Sequence, residues 1–328
     1  MYKIAVVGAT GLVGQKMLEV IERKNIPYDS LTLFTSARSA GKTIDFQGKQ
    51  YITEELTEEK ANKKYDFVLM SAGGTTSLKY SPLFEAAGSI VIDNSSAFRM
   101  EQDIDLIVPE VNHPQLNRKI IANPNCSTIQ SVVPLKPLQD HFGLKRVAYT
   151  TYQAVSGSGV AGRNDLINGA KGEAPTNYPH PIYNNVLPHI DVFQPTGYTK
   201  EEQKMIDETK KILNLPDLKV TATCVRVPVQ DSHSVAINVT LDKPATVEAI
   251  RSLFEQTEGV VLVDDVEHNQ YPLAIHATGK DEVFVGRIRV DESLENSFHI
   301  WCTADNLLKG AALNAVQILE QIHQQNHL

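Results

Sequence analysis

The chain has 328 residues, 42% hydrophobic and 21% charged, which is enough for two domains with cores of their own. Its formal net charge is −8 with a sequence pI near 5.7, and no run of Lys or Arg forms a tail or stripe, so neither nucleic acid nor an anionic membrane surface is an expected partner. No apolar stretch nears the ~20 residues of a membrane span, Met1-Tyr2-Lys3 runs straight into a strand pattern, and Cys126, Cys224 and Cys302 lack the close pairing of zinc sites, so a cytoplasmic chain with free thiols and no metal is expected.

In chain order, "YKIAVVGATGLVG" is an apolar run that meets three glycines, and "QKMLEVIERKN" after it spaces Met17, Leu18 and Ile21 as a helix does. Further apolar runs at 31–34, 66–72, 89–96, 105–109 and 119–122 predict strands separated by helices or loops, the rhythm of a doubly wound parallel sheet. Beyond residue 150 the pattern changes. Period-two runs at 220–229, 234–241, 283–290 and 297–304, with a helix over "TVEAIRSLFEQT", predict an α+β domain with an antiparallel or mixed sheet. The span 157–199 is rich in Gly, Pro, Asn and Tyr and reads as irregular covering segments. The end, "DNLLKGAALNAVQILEQIHQQ", carries Asp/Asn capping candidates and an apolar stripe from Leu308 to Ile322, a long terminal helix. The fold class is therefore α/β, with a doubly wound, Rossmann-type domain over 1–126, a second, α+β domain over 127–304 and a terminal helix over 305–328.

Gly8, Gly11 and Gly14 follow a G-x-x-G-x-x-G spacing, one residue away from the strict dinucleotide fingerprint, but they sit between the first strand and first helix, where backbone N–H groups meet a pyrophosphate. An acid at the end of the second strand would bond a ribose 2′-hydroxyl. Here "FTSARSAGK" offers Ser36, Arg38, Ser39 and Lys42, which suit a 2′-phosphate and favour NADP over NAD.

In "IANPNCSTIQ", Cys126 precedes Ser127 and Thr128, either of which is a cap type for a helix that Pro134 and Pro137 should kink or shorten. A helix N-terminus raises the thiolate fraction of a cysteine, so Cys126 reads either as a nucleophile or as a small buried residue. Cys224 and Cys302 lie inside strand patterns and read as core thiols. Among ten histidines, His233 stands at the junction of two strands, where a side chain can project into a cleft.

The motifs "GATGLVG", "SARSAGK", "DNSSAFRM", "VPEVN", "ANPNCSTIQ", "TYQAVSGSG", "EEQKMIDETKKIL", "ATCVRVPV", "VFVGRIR" and "DNLLKGAALNAVQI", in this order, closely resemble the bacterial aspartate-semialdehyde dehydrogenases across nearly the whole chain. The resemblance implies interconversion of L-aspartyl 4-phosphate and NADPH with L-aspartate 4-semialdehyde, phosphate and NADP, on the route to lysine, threonine and methionine. It implies Cys126 as the acyl-carrying nucleophile, His233 as acid/base at the thiohemiacetal oxygen, and Gln153 as an orienting group. Glu201 would meet the substrate amine, Arg226 its carboxylate, Arg99 and Lys204 the phosphate, with Asn125 beside the cysteine also in contact with substrate. Thr10, Gly11, Leu12 and Val13 at the glycine loop, Arg38 and Ser39 at the 2′-phosphate, and Ser156, Gly157 and Asn306 near the nicotinamide complete the implied set, with 127–304 as the catalytic and dimerisation domain of a homodimer or homotetramer and the helix 305–328 completing the cofactor domain over 1–126. A tetrahedral adduct carries an oxyanion, and backbone N–H groups at the start of the helix after Cys126 are its expected donors. The stretch 158–190 matches the family loosely, and Pro134 and Val235 depart from it. The alternatives are an N-acetyl-glutamyl-phosphate reductase, which has no use for Glu201, and a non-catalytic NADP-binding redox regulator, which would lack part of the polar set.

Overall fold

The computed structural model describes residues 1–325. Two compact units divide the chain, Met1–Pro124 together with the C-terminal segment from Ala311, and Asn125–Gly310. Against the expected boundaries at 126 and 305, Asn125 and Cys126 start the second unit and the chain returns to the first at Ala311.

The first unit is built from β1 (Tyr2–Val7), α1 (Leu12–Arg23), β2 (Tyr28–Thr35), a hairpin of β3 (Thr43–Phe46) and β4 (Lys49–Ile52), β5 (Glu54–Glu55), α2 (Glu58–Ala61), β6 (Phe67–Met70), α3 (Gly74–Ala86), β7 (Ile90–Asp93), β8 (Asp105–Leu106) and β9 (Ile120–Ala122). Seven strands in the order β5-β2-β1-β6-β7-β9-β8 pair in parallel throughout, as the alternating pattern predicts. Central strands covered on both faces read as continuous apolar runs, and Ile4 to Val7 and Phe67 to Met70 are all buried. The hairpin and the two-residue β5 carry no apolar run long enough to announce them.

The second unit contains α4 (Cys126–Phe142), β10 (Leu144–Gln153), α5 (Gly159–Gly169), α6 (Lys200–Leu213), β11 (Lys219–Arg226), β12 (His233–Leu241), α7 (Val247–Glu255), β13 (Val260–Leu262), α8 (Ala274–Ala277), β14 (Val283–Val290) and β15 (Ser297–Ala304). Its sheet, β11-β10-β12-β15-β14-β13, is mixed: β10 with β11 and β13 with β14 are parallel, the other pairs antiparallel. Alternation places Val147, Tyr149, Thr151 and Gln153 of β10 on the buried face and leaves Tyr152 on the other. Helix α4 lies against β10, β12, β14 and β15, and α6 against β11. Within the span read as irregular, 159–169 is the helix α5, whereas 170–198 has no helix or strand.

Two expectations about helices are corrected. Pro134 and Pro137 do not shorten α4, which runs 17 residues through both of them. A proline at 134 removes the N–H that would meet the Gln130 carbonyl, and the Cys302 thiol donates to that oxygen at 3.2 Å instead. The terminal helix does not start at 305. Gly310 N–H donates to Asp305 O five residues back, and a π-helical turn, Leu308–Ala312, precedes α9 (Leu313–Gln325). Helix α9 packs on α1 and β7 of its own unit; the last three residues of the helix expected over 305–328 lie outside the described residues. Among the described residues, no helix is long and apolar enough to cross a membrane.

Candidate active site

In the second unit, Cys126 is the first residue of α4. Asn125 caps that helix, not Ser127 or Thr128: its Oδ1 accepts from Ser127 N–H at 2.9 Å and Thr128 N–H at 3.3 Å. The same residue is held from two further sides, its Nδ2 donating to Glu201 Oε1 at 2.8 Å and its N–H to Glu208 Oε2 at 2.6 Å. The Ser127 and Thr128 N–H groups are thereby committed to the cap, which corrects their expected use as oxyanion donors. Asn125 is a fixed support under Cys126.

Helix α6 starts with a capping box between Thr199 and Glu202. That start aims Glu201 and Glu208, two turns apart, at the interior, where both are buried. Glu201 Oε1 also accepts from Gln153 Nε2 at 3.2 Å, and its Oε2 from Lys204 Nζ at 3.3 Å. Burial pushes the Glu201 carboxyl up, but Lys204, the amides of Asn125 and Gln153, and Arg226 together pull it below the usual carboxylate range. Lys204 also pairs with Asp191 at 2.7 Å.

Arg226 ends β11 and His233 begins β12, and the two meet at the backbone of one residue, Ala154. Ala154 N–H donates to His233 Nδ1 at 3.0 Å, while Ala154 O accepts from Arg226 Nη1 at 2.7 Å. A ring that accepts at Nδ1 keeps its proton on Nε2 when neutral. Burial pushes the His233 imidazole well below its ordinary 6.5, and the Arg226 charge pushes it the same way. His233 Nε2 and Arg226 Nε are both buried without a hydrogen-bond partner. Both side chains border Gly157, where a Cβ would stand 2.8 Å from Arg226 Nη1 and 3.2 Å from His233 Nε2.

Asn306 ties these parts together. Its Oδ1 accepts from Ser232 N–H at 2.9 Å and its Nδ2 donates to Ser156 Oγ at 3.0 Å. Next to it, a Cβ on Gly310 would lie 2.9 Å from Cys126 Cβ and 3.6 Å from Asn306 Cβ. Gln130, one turn beyond Cys126, donates to His233 O at 3.1 Å. Asn125, Cys126, Gln153, Ser156, Gly157, Glu201, Lys204, Arg226, His233 and Asn306 thus belong to one connected cluster. Cys224 and Cys302 are buried, the latter with its thiol pushed up to about 12 by burial, consistent with core thiols.

The first unit holds the remaining residues. Gly8, Thr10, Gly11, Ser36, Arg38 and Ser39 line one cleft, with Leu12 and Val13 in the first turn of α1. Gly8 has φ 80°, and a Cβ there would collide with the Ser71 carbonyl, so the loop passes as close to β6 as backbone permits. The N-terminus of α1 has no side-chain cap and no acid in its first turn, which suits a pyrophosphate. Arg99 is buried, donating to Asn123 O and Asn94 O.

The sequence reading missed four contributors. Glu208 was signalled by lying seven residues after Glu201 on one helical face. Ala154 acts through its backbone, and Gly310 through having no side chain, so neither leaves a trace. Glu55 lines the cleft of Arg38 because β5 pairs Glu55 with Thr35 at the end of β2; an acid therefore stands at this cleft although "FTSARSAGK" contains none.

Residues 3–119 match the family model described as semialdehyde dehydrogenase, NAD binding domain, and residues 135–309 the one described as semialdehyde dehydrogenase, dimerisation domain. An aspartate-semialdehyde dehydrogenase of Aquifex aeolicus is 49% identical over 330 residues, 97% of each chain. The chain belongs to the aspartate-semialdehyde dehydrogenase family. Among solved structures, the Vibrio cholerae aspartate semialdehyde dehydrogenase II complexed with ASA is 42% identical at TM-score 0.93, covering 99% of this chain and 98% of that one. The Candida albicans aspartate semialdehyde dehydrogenase with NADP is 26% identical at TM-score 0.78 and covers both chains fully. Membership of the aspartate-semialdehyde dehydrogenase family makes this chain an oxidoreductase with a pyridine-nucleotide domain of Rossmann type and a mixed-sheet dimerisation domain.

Proposed function

We propose that the chain interconverts L-aspartyl 4-phosphate and NADPH with L-aspartate 4-semialdehyde, phosphate and NADP through an acyl group carried on Cys126, a step toward lysine, threonine and methionine. The observation that carries this reading is the cluster in the second unit: a cysteine at a helix start, an unpartnered buried Nε2–H, a buried carboxylate and a buried guanidinium.

In the reductive direction the Cys126 thiolate attacks the acyl carbon, the carbon–oxygen bond to phosphate breaks, and phosphate leaves with the electron pair. The thioester that results is a better hydride acceptor than a carboxylate, and a nicotinamide held at Ser156, Gly157 and Asn306 would be the source of that hydride, or its acceptor in the reverse direction. Collapse of the thiohemiacetal breaks the carbon–sulfur bond and returns the thiolate to Cys126. Each tetrahedral state puts negative charge on the former carbonyl oxygen. His233 meets it with Nε2–H, a donor already stripped of water and fixed by Ala154. In the neutral ring this is the acid side of the acid/base role expected of His233.

Substrate recognition follows from charge. Glu201, kept ionised by its donors, takes the amine, and the planar fork of Arg226 takes the carboxylate; Arg99 and Lys204 take the phosphate, and Gln153 and Asn125 hold Glu201 and Cys126 in place. For the nucleotide, Gly8, Thr10, Gly11, Leu12 and Val13 would hold the pyrophosphate, Ser36, Arg38 and Ser39 a 2′-phosphate, and Ser156, Gly157 and Asn306 the nicotinamide end, which favours NADP. The macromolecular partner is a second copy of the chain, a reading supported by the dimerisation-domain match. The outward face of the mixed sheet, with Tyr152, Ala236 and Trp301, offers it an apolar surface.

The test is phosphate-dependent NADPH formation from L-aspartate 4-semialdehyde. Wild type is expected to be active and Cys126→Ser to lose at least ~10³-fold in kcat. Activity surviving in Cys126→Ser ends the acyl-enzyme reading, and an inactive wild type moves the weight to the redox-regulator alternative.

A further inference from the structure

The segment 170–198 has no regular structure, yet it contributes to the surroundings of Arg226 at two points. We propose that this segment is a seat for the Arg226 guanidinium, with Tyr178 as a positioning residue for substrate-carboxylate binding and Asp165 as the anchor that holds Tyr178 there. The inference rests on the reading of Arg226 as the carboxylate partner and adds to it the residues that keep the guanidinium plane in place.

Ordering an irregular segment costs conformational entropy, so specific bonds must hold it. Asp165, buried on α5, supplies four of them to three consecutive residues. Its Oδ1 accepts from Thr176 N–H and Thr176 Oγ1, both at 2.9 Å, and its Oδ2 from Asn177 N–H at 2.8 Å and Tyr178 N–H at 2.9 Å. Four donors fill the lone-pair capacity of one carboxylate. Downstream, Leu187 bonds Arg226 backbone to backbone in both directions, at 2.9 and 2.8 Å, an isolated antiparallel bridge at the end of β11. The segment is therefore tied to α5 at one end and to the Arg226 main chain at the other.

Between the ties, the Tyr178 ring packs on Val155, Ile182 and Leu187 and lies 5.9 Å from Arg226 Cζ. A Cβ at Gly162 would stand 2.6 Å from the Tyr178 hydroxyl oxygen, so the ring has its place only because residue 162 lacks a side chain. The guanidinium is bounded by the Tyr178 ring, by Ala154 O at 2.7 Å and by the open side at Gly157, leaving Nε buried and unpartnered. A guanidinium recognises a carboxylate through a planar fork, and a ring at cation–π distance on one side limits where that fork can swing. Asp165 and Tyr178 touch none of the reacting atoms and act through Arg226.

The experiment compares wild type, Tyr178→Ala, Tyr178→Phe, Asp165→Asn and Arg226→Ala by steady-state kinetics in the oxidative direction. Tyr178→Ala and Asp165→Asn are expected to raise KM for L-aspartate 4-semialdehyde about tenfold or more, with kcat within about threefold and KM for phosphate and nucleotide within about twofold. Tyr178→Phe keeps the ring and should restore the wild-type KM. Equal loss of kcat and of every KM in Tyr178→Ala would mark a merely structural role and overturn the proposal, as would an unchanged semialdehyde KM in Tyr178→Ala alongside a raised one in Arg226→Ala. An unchanged semialdehyde KM in Arg226→Ala would remove the carboxylate reading of Arg226 itself, and this inference with it.

Discussion

Asn125 and Glu55 show what single residues disclose and withhold. Ser127, Thr128 and Asn125 are all good cap residues by type, and what selects Asn125 is its tether to Glu201 and Glu208, partners 76 and 83 positions away. Cys126 was legible as the residue of interest because its neighbours mark a helix start; its support was not, because it is tertiary. At the nucleotide cleft, the absence of an acid after β2 was read correctly from the local segment, yet the fold returns Glu55 to the same cleft through a two-residue strand. Arg38 and Glu55 then pull in opposite directions: a cation favours a 2′-phosphate, an acid a free 2′-hydroxyl. Arg38→Ala is therefore expected to lower the NADP to NAD ratio of kcat/KM at least ~10-fold, the value of one charge-assisted phosphate contact, and Glu55→Gln to raise it. A ratio unmoved by Arg38→Ala would remove Arg38 from the 2′-phosphate site.

At the scale of elements, regular patterns were readable and interrupted ones were not. Strand β10 escaped because its buried positions, Leu144 and then Val147, Tyr149, Thr151 and Gln153, change phase where the pairing with β12 slips between Leu144 and Arg146, and because two of them are polar. Helix α5 carries Gly159, Gly162 and Gly169 in 11 residues, a composition of low helix propensity. The π-helical turn before α9 has the same apolar stripe as the α-helix expected there, and one wider turn at Gly310 is invisible to a 3.6-residue period. That turn suggests a test. A glycine inside a helix is usually improved by alanine, by up to ~1 kcal/mol, but at 310 the added methyl would meet Cys126 Cβ at 2.9 Å and Cα at 3.3 Å. Gly310→Ala is expected to cut kcat/KM about 10²-fold, the scale of a 1 Å misplacement of a reacting group, while the folded state persists by circular dichroism. Full activity with a raised melting temperature would show that Cys126 does not depend on the bare backbone at 310.

For the whole molecule, the arrangement of the second unit ties stability to pH in two separate windows. His233 is fully buried, and burial first, then the Arg226 charge, holds its pKa well below 6.5. The unfolded chain therefore binds this proton at a higher pH than the folded one. The contribution of the neutral ring is fully present above 6.5 and is lost as pH falls from there toward the folded value, with a slope of about 1.4 kcal/mol per pH unit. Glu201 has the opposite charge type but the same direction: its carboxyl is lowered, so its contribution is present above the unfolded value of 4.5 and lost only as pH falls below it toward the folded value. Between pH 6.5 and 5 the histidine should dominate the difference between wild type and a neutral variant that cannot protonate. Urea-unfolding free energies measured from pH 7.5 to 5.0 are expected to fall more steeply for wild type than for His233→Asn, the two curves approaching each other as pH drops. Parallel curves would mean that His233 titrates alike in the folded and unfolded chains, and that the Ala154 N–H does not hold the ring in its neutral, Nε2-protonated form.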